Sequence, residues 1–217
     1  PNQLFIDYVS DVLPSLGVGK VDTQTYLFWA KKLLGWDNYY TVSPEDDDLY
    51  IKKYKGSVEF LKVLDEYIEQ VENNLLTNIP TSFANDIAKR YYILKEEFKD
   101  IDMAERLELA TEYAFTKKQY ANYQNNNLSL RDIDYTQEKE KVVRYFKTET
   151  NIYQLYKKLF STNLVSSDTA KYTLAGLTHN GRLHTYRVED LAPMVYLHLN
   201  IYGKKQSERA YIMVDEA

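Results

Sequence analysis

The chain has 217 residues, 44% of them apolar, which suffices for one large or two small domains around a core and excludes disorder of the whole. Its 27 basic and 32 acidic residues leave a net charge of −5, so it lacks the polybasic footprint of a protein that grips nucleic acid through its field, and Glu45-Asp46-Asp47-Asp48 adds a local acidic knot. The absence of cysteine excludes disulfide and thiolate chemistry and fits a cytoplasmic setting, and no run of about 18 apolar residues or signal-peptide pattern points to a membrane.

In chain order, "PNQLFIDYVSDVLPSLG" reads as a helix, with Leu4, Tyr8 and Val12 at spacing four and Pro14 and Gly17 closing it. A short β-type run around Val21 to Thr25 follows, then a helix that stops at Gly35. From Ser43 onward helical periods replace strand signals. Leu61, Leu64, Ile68, Val71 and Leu75 form one stripe, and Ile87, Tyr91, Leu94, Phe98 and Ile101 another. A third helix is expected over about 103–123 and a fourth over about 136–160, the latter with Val142, Phe146, Tyr153, Tyr156 and Phe160 inward. Gly56-Ser57 ends one segment and caps the next, while Asn125-Asn126-Asn127 and residues 161–167 read as loops. Residues 168–187 admit two readings: a helix closed by Asn180-Gly181, which we favour, or a hairpin turning at that dipeptide. "VEDLAPMVYLHLNIYG" is a helix with Glu189 and Asp190 at the positive end of its dipole, and "RAYIMVDEA" is a buried strand of the parallel-sheet kind. The 21 tyrosines read as cover for half-buried helix surfaces.

The chemistry is concentrated in the last strand. An apolar strand that delivers two successive carboxylates to the edge of an α/β sheet suits nucleotide hydrolysis: Asp215 would hold Mg²⁺ through water, and Glu216 would orient and deprotonate the attacking water. Asn2 serves equally as a helix N-cap or a nucleic-acid contact, and Thr25 could simply cap the helix starting at Tyr26. Trp29 and Trp36 read as packing residues, and His179, His184 and His198 lack paired metal-ligand spacing.

"PNQLFIDYVSDVLPSLGVGKVDTQTYLFW", "KYKGSVEFLKVLDEYI", "VEDLAPMVYL" and "YIMVDEA" together resemble, in order and character, the HelD-like branch of superfamily 1 helicases, relatives of UvrD and Rep. The resemblance covers both ends well and the middle loosely. It implies that Pro1 and Asn2 close the strand of motif Ia, that Thr25-Tyr26 stands where the family has Thr-Phe in motif Ib, and that Asp215-Glu216-Ala217 opens motif II. In that family motifs Ia and Ib touch the backbone and bases of single-stranded nucleic acid, and Tyr26 keeps the ring of the family's Phe.

The resemblance implies a helix-rich α/β chain. Residues 1–43 and 166–217 would belong to a partial RecA-like (P-loop NTPase) lobe, and residues 44–165 to a large all-helical insertion that engages RNA polymerase. It implies an ATP- and Mg²⁺-dependent motor acting on single-stranded DNA or on RNA polymerase. Pro1 in place of Met, and an end inside motif II, are expected of a piece of such a protein that is inactive alone. The rival reading is a non-catalytic helical interaction scaffold with a chance "VDEA".

Overall fold

The computed structural model describes Tyr8, Asp11, Val12 and residues 24–36, 40–42, 48–124, 135–180 and 183–203. Tyr8, Asp11 and Val12 are helical. Helix α1, Tyr26–Leu34, begins where the Thr25 hydroxyl accepts the Phe28 N–H at 3.2 Å, and it ends at Gly35, whose φ of 69° places it in the left-handed region that closes helices. Gln24 and Thr25 are not in a strand; the rest of the β-type run expected around Val21 lies outside the described residues. A strand that periodicity does not flag, β1 at Tyr40–Val42, comes next.

Between β1 and residue 176 the described residues are mostly helical. Helix α2 (Leu49–Lys55) is capped by Asp48, whose carboxylate accepts the Ile51 N–H at 3.1 Å. Gly56 closes it, and Ser57 caps α3 (Val58–Thr77) by accepting the Phe60 N–H. Along α3 the inner face is Phe60, Leu64, Tyr67, Val71 and Leu75; Leu61 is exposed because Phe60 and Tyr67 take the inward positions. Helix α4 (Ala84–Glu97) buries Ile87, Tyr91 and Leu94, and the expected stripe stops there, with Phe98 exposed in the turn to α5 (Met103–Gln124). Asp102 caps α5 by accepting the Glu105 N–H, and α5 packs along α4 over Leu107, Ala110 and Ala114.

The expected single helix over 136–160 is two, α6 (Tyr135–Glu149) and α7 (Ile152–Leu159). The Thr150 hydroxyl bonds back to the Phe146 carbonyl at 2.7 Å and pairs with the Tyr202 hydroxyl, and Asn151 accepts the Gln154 N–H as a fresh N-cap. Side chains that satisfy backbone groups locally interrupt a helix whose apolar period runs on.

Helix α8 (Ser167–Gly176) ends before the position expected for it. It is followed by β2 (His179–Asn180) and β3 (Leu183–Tyr186), paired antiparallel with His179 opposite His184 and Asn180 opposite Leu183. The favoured single helix over this stretch is therefore corrected to a helix plus a small hairpin. The reason is the Thr178–Thr185 pair, whose hydroxyls lie 2.6 Å apart while the Thr185 N–H bonds the Thr178 carbonyl.

β3 also pairs in parallel with β1, Tyr40 opposite His184 and Val42 opposite Tyr186, giving a sheet of order β1-β3-β2. A parallel neighbour needs a crossover connection, and the whole helical middle is that crossover. Helix α9 (Val188–Tyr202) then runs through the centre against α1, α2, α3, α5 and α7, burying Leu191, Met194, Val195, Leu197 and Ile201. A helix apolar on most sides belongs inside, which is where it lies. The chain is thus helix-rich with very little strand among the described residues. The strand expected in "RAYIMVDEA" and most of the β-type run around Val21, expected to pair in parallel, lie outside them.

Two glycines close helices in conformations that other residues adopt at a cost. A Cβ at Gly35 would meet nothing within 4 Å, so Gly35→Ala should lower stability by about 1 kcal/mol through backbone strain alone. At Gly203 (φ 64°) a Cβ would lie 2.6 Å from the Asp102 carboxylate, so Gly203→Ala should cost about 3 kcal/mol, adding displacement of the α5 cap to the strain. Urea unfolding midpoints of the two variants check the order.

Candidate functional site

Of the residues singled out by sequence, Pro1, Asn2, Asp215 and Glu216 lie outside the described residues. Thr25 and Tyr26 are described. The Thr25 hydroxyl is occupied as the α1 cap, so its structural reading is the one observed. Tyr26 is 41% exposed and leans on Trp29 with ring centroids 5.8 Å apart, and Phe28 beside it is 58% exposed. Ring area that faces water at a helix start can receive a base or a partner's apolar side chain.

At the other end of α1 a cleft of about 260 Å³ lies between Leu34, Trp36, Lys147, Tyr153, His198 and Tyr202. Trp36 is buried between Tyr153 (6.2 Å) and Tyr186 (5.3 Å), so the cleft has an aromatic back wall with Lys147 exposed on its rim. The His198 ring lies tilted against Tyr202 (5.2 Å) and the His184 ring tilted against Tyr153 (4.6 Å), so both pack against tyrosine. Among the described residues no three His, Asp or Glu side chains are grouped to hold a metal ion.

The strongest electrostatic feature was not singled out in the sequence. Lys55, at the end of α2, and Asp190, in the first turn of α9, form an ion pair at 2.5 Å with both side chains 0% exposed. The Tyr156 hydroxyl donates to the same Asp190 oxygen at 2.7 Å, and the Arg187 N–H donates to the other at 3.0 Å. The carboxylate is therefore enclosed and engaged by three donors, two on one oxygen and one on the other. Around it, Arg187 lies over the Tyr172 ring at 3.8 Å and donates to the Tyr172 carbonyl, while the Lys55 ammonium faces the rings of Phe160 and Tyr172. Burial pulls the Lys55 ammonium below its ordinary value despite the pull of Asp190 in the other direction, and burial followed by the Asp190 charge holds the Tyr156 phenol well above its own. No solvent reaches the pair, so it serves as a clamp between α2, α7 and α9. A residue-by-residue signal existed: an acid three places after Arg187 at a helix start is the pattern of an N3 carboxylate that reaches back to the cap.

A second, more open cluster joins α3 to α4. Glu72 accepts the Tyr91 hydroxyl and the Lys95 ammonium, each at 2.5 Å, and Arg106 of α5 stands over the Tyr91 ring at 5.4 Å.

No protein-family model matches the chain, and neither a curated protein nor a solved structure shows a significant match. Among the described residues no helix is long and apolar enough to cross a membrane.

Lys55→Met should cost about 3 kcal/mol, because Asp190 keeps two donors but loses its counter-charge in a dry site. Lys55→Met with Asp190→Leu should cost clearly less than the two single changes summed, and a double-mutant cycle by urea unfolding reads this coupling. Stability should also fall above pH 10. Burial raises the phenols of Tyr67, Tyr91 and Tyr156 above the ordinary 10.0, so the folded chain keeps protons that the unfolded chain releases there. Lys55, lowered from 10.5, acts with the opposite sign but is a single group against three. Each net phenol contributes about 1.4 kcal/mol per pH unit in that window, and unfolding midpoints between pH 8 and 11 measure the slope.

Proposed function

We propose that the chain forms part of an ATP-driven superfamily 1-type motor, its two ends contributing to a RecA-like lobe and its helical middle acting as the insertion that reaches a partner. The observation that carries this reading is the parallel pairing of β1 with β3: the segments before and after the helical middle share one sheet, as expected when a helical body is inserted into an α/β lobe. The solvent-facing ring of Tyr26 is consistent with a base-stacking role at motif Ib.

In this proposal Asp215 supplies a hard carboxylate oxygen of the kind Mg²⁺ prefers, and Glu216 holds and deprotonates the attacking water. Bound Mg²⁺-ATP would supply the phosphoryl group and neutralise its developing charge. The acidic helical middle suits a basic channel of RNA polymerase better than a phosphate backbone, since like charge offers little counterion release.

In the full-length protein carrying this chain, Glu216→Gln should abolish ATP hydrolysis and leave ATP binding largely intact, and Asp215→Asn should weaken Mg²⁺-dependent nucleotide binding as well. Parental turnover by the Glu216 variant would overturn the assignment. For the partner, salt-sensitive capture of core RNA polymerase should weaken when Glu45, Asp46 and Asp47 are made Gln, Asn and Asn. Asp48 is left in place because it caps α2. Failure to capture polymerase at low salt together with tight binding of single-stranded DNA would favour a conventional helicase subdomain.

A further inference from the structure

A groove of about 410 Å³ runs between α3, α6 and α7 on the helical body, away from every residue assigned above. Its floor is apolar, formed by Val71, Leu75 and Leu155. One wall is a row of carboxamides spaced four residues apart, Gln70 and Asn74 on one ridge of α3 and Asn78 as its C-cap. Among the described residues the side-chain amides of Gln70 and Asn74 carry no hydrogen bond; that of Asn78 donates to the Asn74 carbonyl at 2.9 Å and keeps its oxygen. On the other side the Tyr67 hydroxyl is fixed on the Leu155 carbonyl and the Tyr145 hydroxyl on the Leu75 carbonyl, so the floor is tied to both walls and preformed.

We infer that this groove binds an extended peptide segment of a partner protein, reading its backbone through the carboxamide row of Gln70, Asn74 and Asn78. Successive carboxamides stand about 6 Å apart along the helix axis, and an extended peptide repeats its backbone N–H and C=O on one edge about every 6.6 Å. A carboxamide offers a donor and an acceptor at once, the complement of one backbone N–H and C=O pair. The row from Gln70 to Asn78 covers about 12 Å, which an extended chain crosses in about four residues. Alternate side chains of such a peptide would point at the apolar floor, as in strand-type recognition.

Charge selects peptide over nucleic acid. The cation lining the groove, Lys158, is paired with Glu149 at 2.7 Å, so the groove is neutral and presents no unpaired cation for a phosphate backbone. The inference does not rest on the motor reading, since the helical body carries the groove in either case.

The test uses the intact chain. A phage-displayed library of random linear dodecapeptides is selected on it, with the Gln70→Ala/Asn74→Ala variant as counter-target. Both residues are polar and not buried, so the variant should keep its fold, checked by circular dichroism and urea unfolding. The winning peptides, made with a fluorescent label, should bind the parent chain saturably and the variant at least tenfold more weakly, as expected for loss of two or more backbone hydrogen bonds. Methylation of alternate backbone nitrogens in the same peptide should weaken binding similarly, a result that adhesion to the floor alone would not produce. The inference is overturned if no peptide is enriched over the folded variant. It is equally overturned if enriched peptides bind both proteins alike and tolerate methylation, or if labelled oligo(dT) binds in an Asn74-dependent way and peptides do not.

Discussion

Everything on the outer side of the fold is referred to one buried contact, the ion pair of Lys55 with Asp190, residues 135 positions apart. Taking two charges out of water costs several kcal/mol each, and attraction in a dry site offsets this only when the remaining lone pairs are also filled. Here each carboxylate oxygen accepts a donor besides Lys55, the Tyr156 hydroxyl on one and the Arg187 N–H on the other. Such a contact tolerates no slippage, because a shifted α2 would strand a charge in the core. The pair therefore fixes where α2 meets the start of α9, and α9 begins directly after β3, so the position of the helical body is set relative to the sheet.

α9 carries that reference through the molecule. Its apolar surface touches five helices, and tyrosines tie the layers at the periphery. Tyr67, Tyr145, Tyr153 and Tyr202 each bury ring area while donating the hydroxyl to a backbone carbonyl of another element, those of Leu155, Leu75, Thr178 and Thr150. The ring supplies apolar contact and the hydroxyl, which must be hydrogen-bonded when buried, finds a backbone carbonyl.

What could be read beforehand follows from range. Local features were legible: the Thr25 cap and Gly35 stop of α1, the Gly56-Ser57 junction, and the stripes of α3 and α4 all depend on residues within a few positions of one another. The break at Thr150-Asn151 was not, because the apolar period continues through it and outweighs the local signals, the Thr150 hydroxyl turned back to Phe146 and the Asn151 cap, beside which the Tyr202 contact lies 52 positions away. β1 is three residues long, too short for a period of two to register, and becomes a strand only because β3 lies alongside. The Asn180-Gly181 dipeptide was visible in the sequence, but the choice between helix and hairpin hung on Thr185, which bonds Thr178. Of the expected site, Thr25 and Tyr26 could be placed, one as a cap and one as an exposed ring. The Lys55–Asp190 clamp escaped notice because its partners are far apart in the chain and nothing near either of them announces the other.

The parallel ladder between β1 and β3 has a consequence for how the molecule assembles. Its strands are about 140 residues apart, and closing so long a loop from a random chain costs about 4 kcal/mol or more, whereas three residues of ladder return roughly 1 kcal/mol per hydrogen bond. The ladder cannot form first. Helical hairpins with short connections, such as α4 with α5, can condense early, and only when the Lys55–Asp190 contact has closed the intervening chain does the sheet become favourable. By this argument the β1–β3 ladder should close late in folding and open early under stress, and exchange of its amide hydrogens should then report partial opening of the molecule before its helices unwind.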